Sequence, residues 1–214
     1  MSSESVTVAV AHLLTLLPGA ANLHESRDSA DVLALVAAAR TGSQVAFGEL
    51  VTMHQRAVFR TAMAALGSRE DAEDAAQEAF VVAWRKLRGF RGDSTFRTWL
   101  MTITWRKALD RRRKQLLWRR RTQPTVSETL TPTLDALAGE MPDPERVTIA
   151  ADLARRVHQE ILALTPKLRD TLLLAASGEH SYDDIAGMLG VPLGTVKWRV
   201  AEARRLVGSR IDER

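Results

Sequence analysis

Residues Ser181–Arg199 read SYDDIAGMLGVPLGTVKWR. Ser181 followed three residues later by Asp184 has the form of a capping box, in which each side chain satisfies the other's backbone N–H and a helix begins. Ala186 is small where a second helix must cross closely. Gly190 suits the left-handed backbone of a tight interhelical turn. Ile185, Leu189, Val196 and Val200 then form an apolar seam between two short helices. The spacing predicts a helix-turn-helix. Its second helix presents Thr195, Lys197, Trp198, Arg199 and Glu202 near or along its outer face. A helix of that kind fits the major groove, where Lys and Arg read guanine O6 and N7. A purely structural helical hairpin would share the seam. The seam, the glycine turn and the basic second helix together favour DNA binding.

Moving towards the N-terminus, charge is segregated. The formal net charge is only +4 with a pI near 9.9. Yet Trp105–Arg121 holds nine basic residues against the single acidic Asp110. A local basic block on a near-neutral chain suits a polyanion, most simply nucleic acid. Three of the five tryptophans, Trp99, Trp105 and Trp118, lie in or beside it. Cations that follow phosphates, interleaved with rings that stack on unpaired bases, suit single-stranded DNA, at roughly 1–3 kcal/mol per stacked base. Trp99 and Ile103, four residues apart, read better as core. Trp105, set among charges, is the better candidate for a nucleic-acid contact.

A third constellation is Arg69–Phe80, REDAEDAAQEAF, with Val81, Val82 and Trp84 beyond it. Asp71, Asp74 and Glu78 share one helix face; Phe80 and Trp84 share another with Ala76. An acidic face carrying Gln77 repels DNA phosphates and suits a basic protein surface. A bundle di-metal site would want a Glu-x-x-His pair, and the chain contains none. From spacing alone, a solvated acidic face near a helix N-terminus explains these carboxylates adequately.

Other chemistries find no support. The chain has no cysteine, so disulfides, thiolate zinc sites and cysteine nucleophiles are excluded. His12, His24, His54, His158 and His180 show neither metal-ligand spacing nor a serine partner. No glycine-rich phosphate loop is present. The expectation is a protein that is not an enzyme, with no cofactor, no metal and no small-molecule substrate. No run approaches the roughly 18 apolar residues of a membrane helix. The apolar patch Val6–Ala21 is interrupted by His12, two threonines and Pro18 and lacks a basic leader. No membrane insertion and a cytoplasmic location are therefore expected.

Apolar residues, mostly Ala and Leu, recur at helical spacing and strand signals are scarce, so the fold class is all-α. Residues 1–28 form a poorly patterned leader of unassigned role. A first helical domain spans 29–121. Residues 122–148 read as a Pro-rich acidic linker, since Thr122–Pro144 holds four of the seven prolines. A second helical domain, 149–214, contains the helix-turn-helix.

Taken in order, these constellations resemble the extracytoplasmic-function class of bacterial RNA polymerase sigma factors, from about Ala46 to Lys114 and again from about Val157 to Leu206. The resemblance implies that Asp71, Asp74, Gln77, Glu78, Phe80 and Trp84 dock on the clamp helices of the largest subunit of core RNA polymerase, which recasts that acidic face as functional. It implies a further contact with the flap of the second subunit. It implies that Trp105, Arg106, Lys107, Asp110, Arg111, Arg112, Arg113 and Lys114 belong to the segment that melts and captures the −10 element. It implies that Thr195, Lys197, Trp198, Arg199 and Arg204 read the −35 element of promoter DNA. An anti-sigma factor is a further partner common in the family. Trp105-Arg106 stands where the family usually has Arg-Asn, Trp198 where it has a small Ser, and Glu202 where it often has a basic residue. The acidic linker, with Glu128, Asp135 and Glu140, would suit the basic nucleic-acid path of the polymerase. The competing reading is a two-domain helix-turn-helix regulator that never joins polymerase; the acidic Asp71–Glu78 face separates the two, because a repressor has no need of it.

Overall fold

The computed structural model describes residues 28–122 and 144–212, which form eight α-helices and one short 3-10 turn, with no strand among them. Residues 1–27 of the leader, residues 123–143 of the linker, and residues 213–214 lie outside the described residues.

In the first unit, α1 spans Ala30–Arg40, α2 Gln44–Leu66, α3 Arg69–Lys86 and α4 Phe96–Thr122, with the 3-10 turn at Leu87–Gly89. Serines start three of these helices. Ser29, Ser43 and Ser68 each accept a hydrogen bond from the backbone N–H three residues on, satisfying a donor the helix leaves orphaned. Gly67, at φ 66°, ends α2 in the left-handed conformation that lets α3 double back at once. The inward face of α3 is almost entirely alanine: Ala72, Ala75, Ala76, Ala79 and Ala83 are buried. Side chains that small bring α2 and α4 close, and the large groups they pack against come from α4: Phe96, Leu100, Met101 and Trp105. Phe90, Phe96 and Trp99 form a ring cluster, with centroids 5.1–6.1 Å apart.

In the second unit, α5 spans Pro144–Leu162, α6 Pro166–Ala176, α7 Tyr182–Leu189 and α8 Leu193–Asp212. Helix α5 begins five residues before the sequence-based start at Ile149. A proline at the first helical position has the right φ and no N–H to leave unpaired. Helix α8 buries Val196, Val200, Ala203, Val207 and Ile211, a single stripe at helical spacing that packs on α5, α6 and α7.

The two units dock through α2 and α4 on one side and α6, α7 and the turn between them on the other. This contact is polar. The Arg60 guanidinium donates to the Ser177 carbonyl and pairs with Glu179 at 3.1 Å. Arg97 donates to the Glu179 carbonyl at 2.7 Å and to its carboxylate. Thr98 Oγ1 donates to Asp184 at 2.7 Å. Thr61 Oγ1 and His180 Nε2 lie 2.9 Å apart, and Arg112 donates to Asp170 at 2.7 Å.

Candidate polymerase and promoter surfaces

The capping box at Ser181 forms as the spacing predicts. The Ser181 hydroxyl accepts from the Asp184 N–H at 3.1 Å, and Asp184 accepts from the Ser181 N–H at 3.0 Å. Gly190 has φ 65°, and Ile185, Val196 and Val200 close the buried seam with Leu189 at its edge. Lys197 and Trp198 stand out from the start of α8, Trp198 with 61% of its surface exposed. Thr195 and Arg199 are half-buried beside them.

Arg204, expected among the DNA-reading side chains, is half-buried beside the stripe, and its Nε is shut off from solvent with no hydrogen-bond partner among the described residues. The exposed face of α8 continues through Ala201 to Arg205. Sequence reasoning missed Arg205, although its spacing of seven from Trp198 places it on the same face. It grips Glu202 through both carboxylate oxygens, at 2.7 and 2.8 Å. That pair cancels the negative charge that Glu202 would otherwise show to a phosphate backbone.

On α4, Trp105 requires a correction. It is only 2% exposed, one of the largest fully buried side chains, and its indole Nε1 finds no hydrogen-bond partner among the described residues. A ring so placed belongs to the core that α4 shares with α2 and α3. It cannot stack on a base in this arrangement. Helical spacing from Leu100, Met101 and Ala108 carried this signal, but the flanking charges obscured it. The exposed face of α4 runs through Arg106, Asp110, Arg113, Lys114, Leu117 and Trp118. Trp118, 63% exposed, is the aromatic side chain that α4 offers to solvent within this cationic strip.

Arg111 and Arg112 face elsewhere. Arg111 donates through Nε to Asp71 at 2.8 Å and through Nη2 to Asp74 at 2.6 Å, with Glu78 3.7 Å away. Lys107 reaches the other Glu78 oxygen at 3.4 Å. The acidic face of α3 and the basic helix α4 are therefore joined edge to edge by one guanidinium. Partial burial acts to raise the Asp71 carboxyl, but hydrogen bonds from Arg111, Gln115 and Ser68 outweigh it and hold the group below its ordinary value. The same bonds to Asp71 and Asp74 hold Arg111 charged. Gln77 is exposed beside them, while Phe80 and Trp84 are half-buried, Trp84 against Phe47 at 4.9 Å. Arg112 is committed to Asp170 across the contact between the units and to the Ala65 carbonyl on α2.

An alanine-backed acidic face, a cationic strip on the next helix and a helix-turn-helix on a second helical unit define a two-domain transcription protein. Residues 50–117 match the family model for sigma-70 region 2, and residues 154–207 match that for sigma-70 region 4. The chain is 33% identical over 178 residues to the RNA polymerase sigma-H factor of Pseudomonas aeruginosa, covering 81% of this chain and 90% of that one. It is 32% identical over 185 residues to the ECF RNA polymerase sigma-E factor of Escherichia coli, covering 83% and 92%. Among solved structures, CnrH in complex with the cytosolic domain of CnrY superposes with a TM-score of 0.59 at 27% identity, covering 86% of this chain and 99% of that one. RpoE of Bartonella quintana, in complex with the anti-sigma factor NepR, shares the fold with a TM-score of 0.58 at 22% identity, covering 77% and 96%. The chain belongs to the ECF family of RNA polymerase sigma factors. Among the described residues, no helix is long and apolar enough to cross a membrane.

Proposed function

We propose that this chain is an alternative sigma factor that binds core RNA polymerase, recognises a promoter and opens its −10 element to start transcription. The observation that carries this reading is the matching of regions 2 and 4 in order on two helical units, each with its own charged face. Asp71, Asp74, Gln77 and Glu78 form the surface for the clamp helices of the largest subunit, with Phe80 and Trp84 bracing it. The second unit meets the flap of the other large subunit and the −35 duplex, with Lys197, Trp198 and Arg199 foremost. Arg106, Arg113 and Lys114 track phosphates at −10, and Trp118 supplies the exposed ring. An aromatic side chain that captures an unstacked base offsets a cost of a few kcal/mol per step. The chemistry is binding and melting, without a bond-making step, and it is carried out with polymerase in the cytoplasm. An anti-sigma factor is a fitting partner, as NepR is for RpoE of Bartonella quintana.

The test is transcription in vitro from fragments of the source genome, with core polymerase and with or without this protein. Discrete new start sites sharing two upstream elements are expected. Absence of binding to core polymerase removes the sigma reading and leaves the helix-turn-helix regulator.

A further inference from the structure

The outer face of α8 carries a group that contact with DNA phosphates does not call for. Glu202 is acidic, and the only other acidic side chain of α8 is Asp212 at its far end. Glu202 follows Trp198 by four residues and precedes Arg205 by three, so the three share one face. Val196, Val200 and Ala203 fill the seam behind and fix the rotation that turns this face outward.

An isolated carboxylate is repelled by a polyanion. Arg205 offsets that repulsion: its Nε and Nη2 donate to the two Glu202 oxygens at 2.8 and 2.7 Å, a forked geometry that fixes the direction of the carboxylate as well as cancelling its charge. The pairing does not exhaust either group. Two carboxylate oxygens offer about four acceptor sites, of which Arg205 takes two, and the guanidinium keeps further N–H donors for a phosphate. Glu202 retains 26% of its side-chain surface and Arg205 63%. The hydrogen bonds from Arg205 also hold the Glu202 carboxyl below its ordinary value, so it stays ionised and accepts only.

A fixed acceptor discriminates among base edges in the major groove. Guanine presents N7 and O6, and thymine O4, all of which repel it. Adenine presents its N6 donor beside the N7 lone pair. Cytosine presents its N4 donor with only a C–H beside it on the ring, and so fits best. Trp198 offers an exposed apolar ring that suits a thymine methyl. Four residues are about 6 Å of helix, against about 3.4 Å per base pair, so the two side chains address pairs one or two steps apart.

We propose that Glu202, positioned by Arg205, reads cytosine N4 in the upstream promoter element, one or two base pairs from a thymine whose methyl packs on Trp198. The assignment rests on the sigma-factor reading for the DNA it concerns. Duplexes with a randomised upstream element are offered to the full-length chain, alone and with core polymerase, and the bound molecules are sequenced. An enriched G·C pair one or two steps from an A·T pair is expected; no enrichment in either condition overturns the assignment. N4-methylcytosine at that pair keeps base pairing but replaces the major-groove proton with a methyl group. It should weaken binding of the wild type roughly fivefold or more and leave Glu202→Ala unaffected. Uracil in place of the thymine should weaken the wild type and leave Trp198→Ala unaffected. Arg205→Ala should relax preference at the G·C pair alone, whereas a uniform loss on every sequence overturns its positioning role. A wild type indifferent to N4-methylcytosine, or a G·C preference that survives Glu202→Ala, overturns the reading by Glu202. Cytosine reading without any core-dependent transcript sinks the sigma reading and leaves the contact. Core-dependent transcript from an element indifferent to the modified cytosine does the reverse.

Discussion

Arg111 holds Asp71, Asp74 and, more loosely, Glu78 from the middle of a basic helix. Because Asp71 is bonded to a guanidinium while charged, its folded-state carboxyl lies below the ordinary value of 3.8. A depressed carboxyl contributes stability that is present above that value and is lost as pH falls through the lower, folded one. Asp71→Asn is expected to lower stability by about 1 kcal/mol at neutral pH. Urea titrations at a series of pH values should show that deficit shrinking below about pH 4, and a deficit independent of pH would contradict the bond. The tryptophans of α4 separate in the same way. Trp105→Ala empties a core site and should cost about 3–5 kcal/mol. Trp118→Ala should leave stability within about 0.5 kcal/mol while weakening binding to single-stranded −10 DNA by roughly 1–3 kcal/mol. Thermal melts and fluorescence titrations distinguish the two.

At the scale of elements, helix α7 depends on its ends. Ser181→Ala removes one half of the capping box and should cost about 1 kcal/mol, read as a lower denaturation midpoint for the second unit. Helix α8 depends on its exposed face. Lys197→Ala should weaken promoter binding and, if the ammonium meets a phosphate, reduce the slope of log K against log salt by about one. A loss confined to one base-pair position would instead assign Lys197 to base reading. The helix-turn-helix was legible in full because everything that makes it is local: a cap three residues from its partner, one glycine, one seam. The faces of α4 and α8 were legible only in part. Composition marks a basic helix, but only its rotation against the core decides which side chains are shown, and that rotation hid Trp105 while presenting Trp118 and Arg205.

At the scale of the molecule, the docking of the two units escaped sequence reading altogether. Thr61 meets His180 across 119 residues, Arg97 meets Glu179 across 82, and Arg112 meets Asp170 across 58. No periodicity announces a pairing between distant helices, and every one of these arginines reads equally well as a phosphate contact. Half-buried pairs of this kind fix geometry, and removing one partner strands the other. Asp170→Ala and Glu179→Ala should therefore loosen the contact without unfolding either unit. Small-angle scattering on the full chain should show a larger radius of gyration for both variants, and an unchanged radius would mean that apolar packing alone keeps the units together.

The single guanidinium between α3 and α4 has a consequence for the order of events. In the function proposed above, Asp71 and Asp74 belong to the surface for polymerase, and Arg111 lies on the helix for promoter DNA. A basic protein surface that takes the two carboxylates frees a cation for the nucleic acid, and a phosphate that takes Arg111 frees two carboxylates for the protein. Each ligand thus removes the other's internal competitor. Linkage requires the gain to be equal in both directions, so on that proposal the node would be an exchange point that favours the ternary assembly over either binary one.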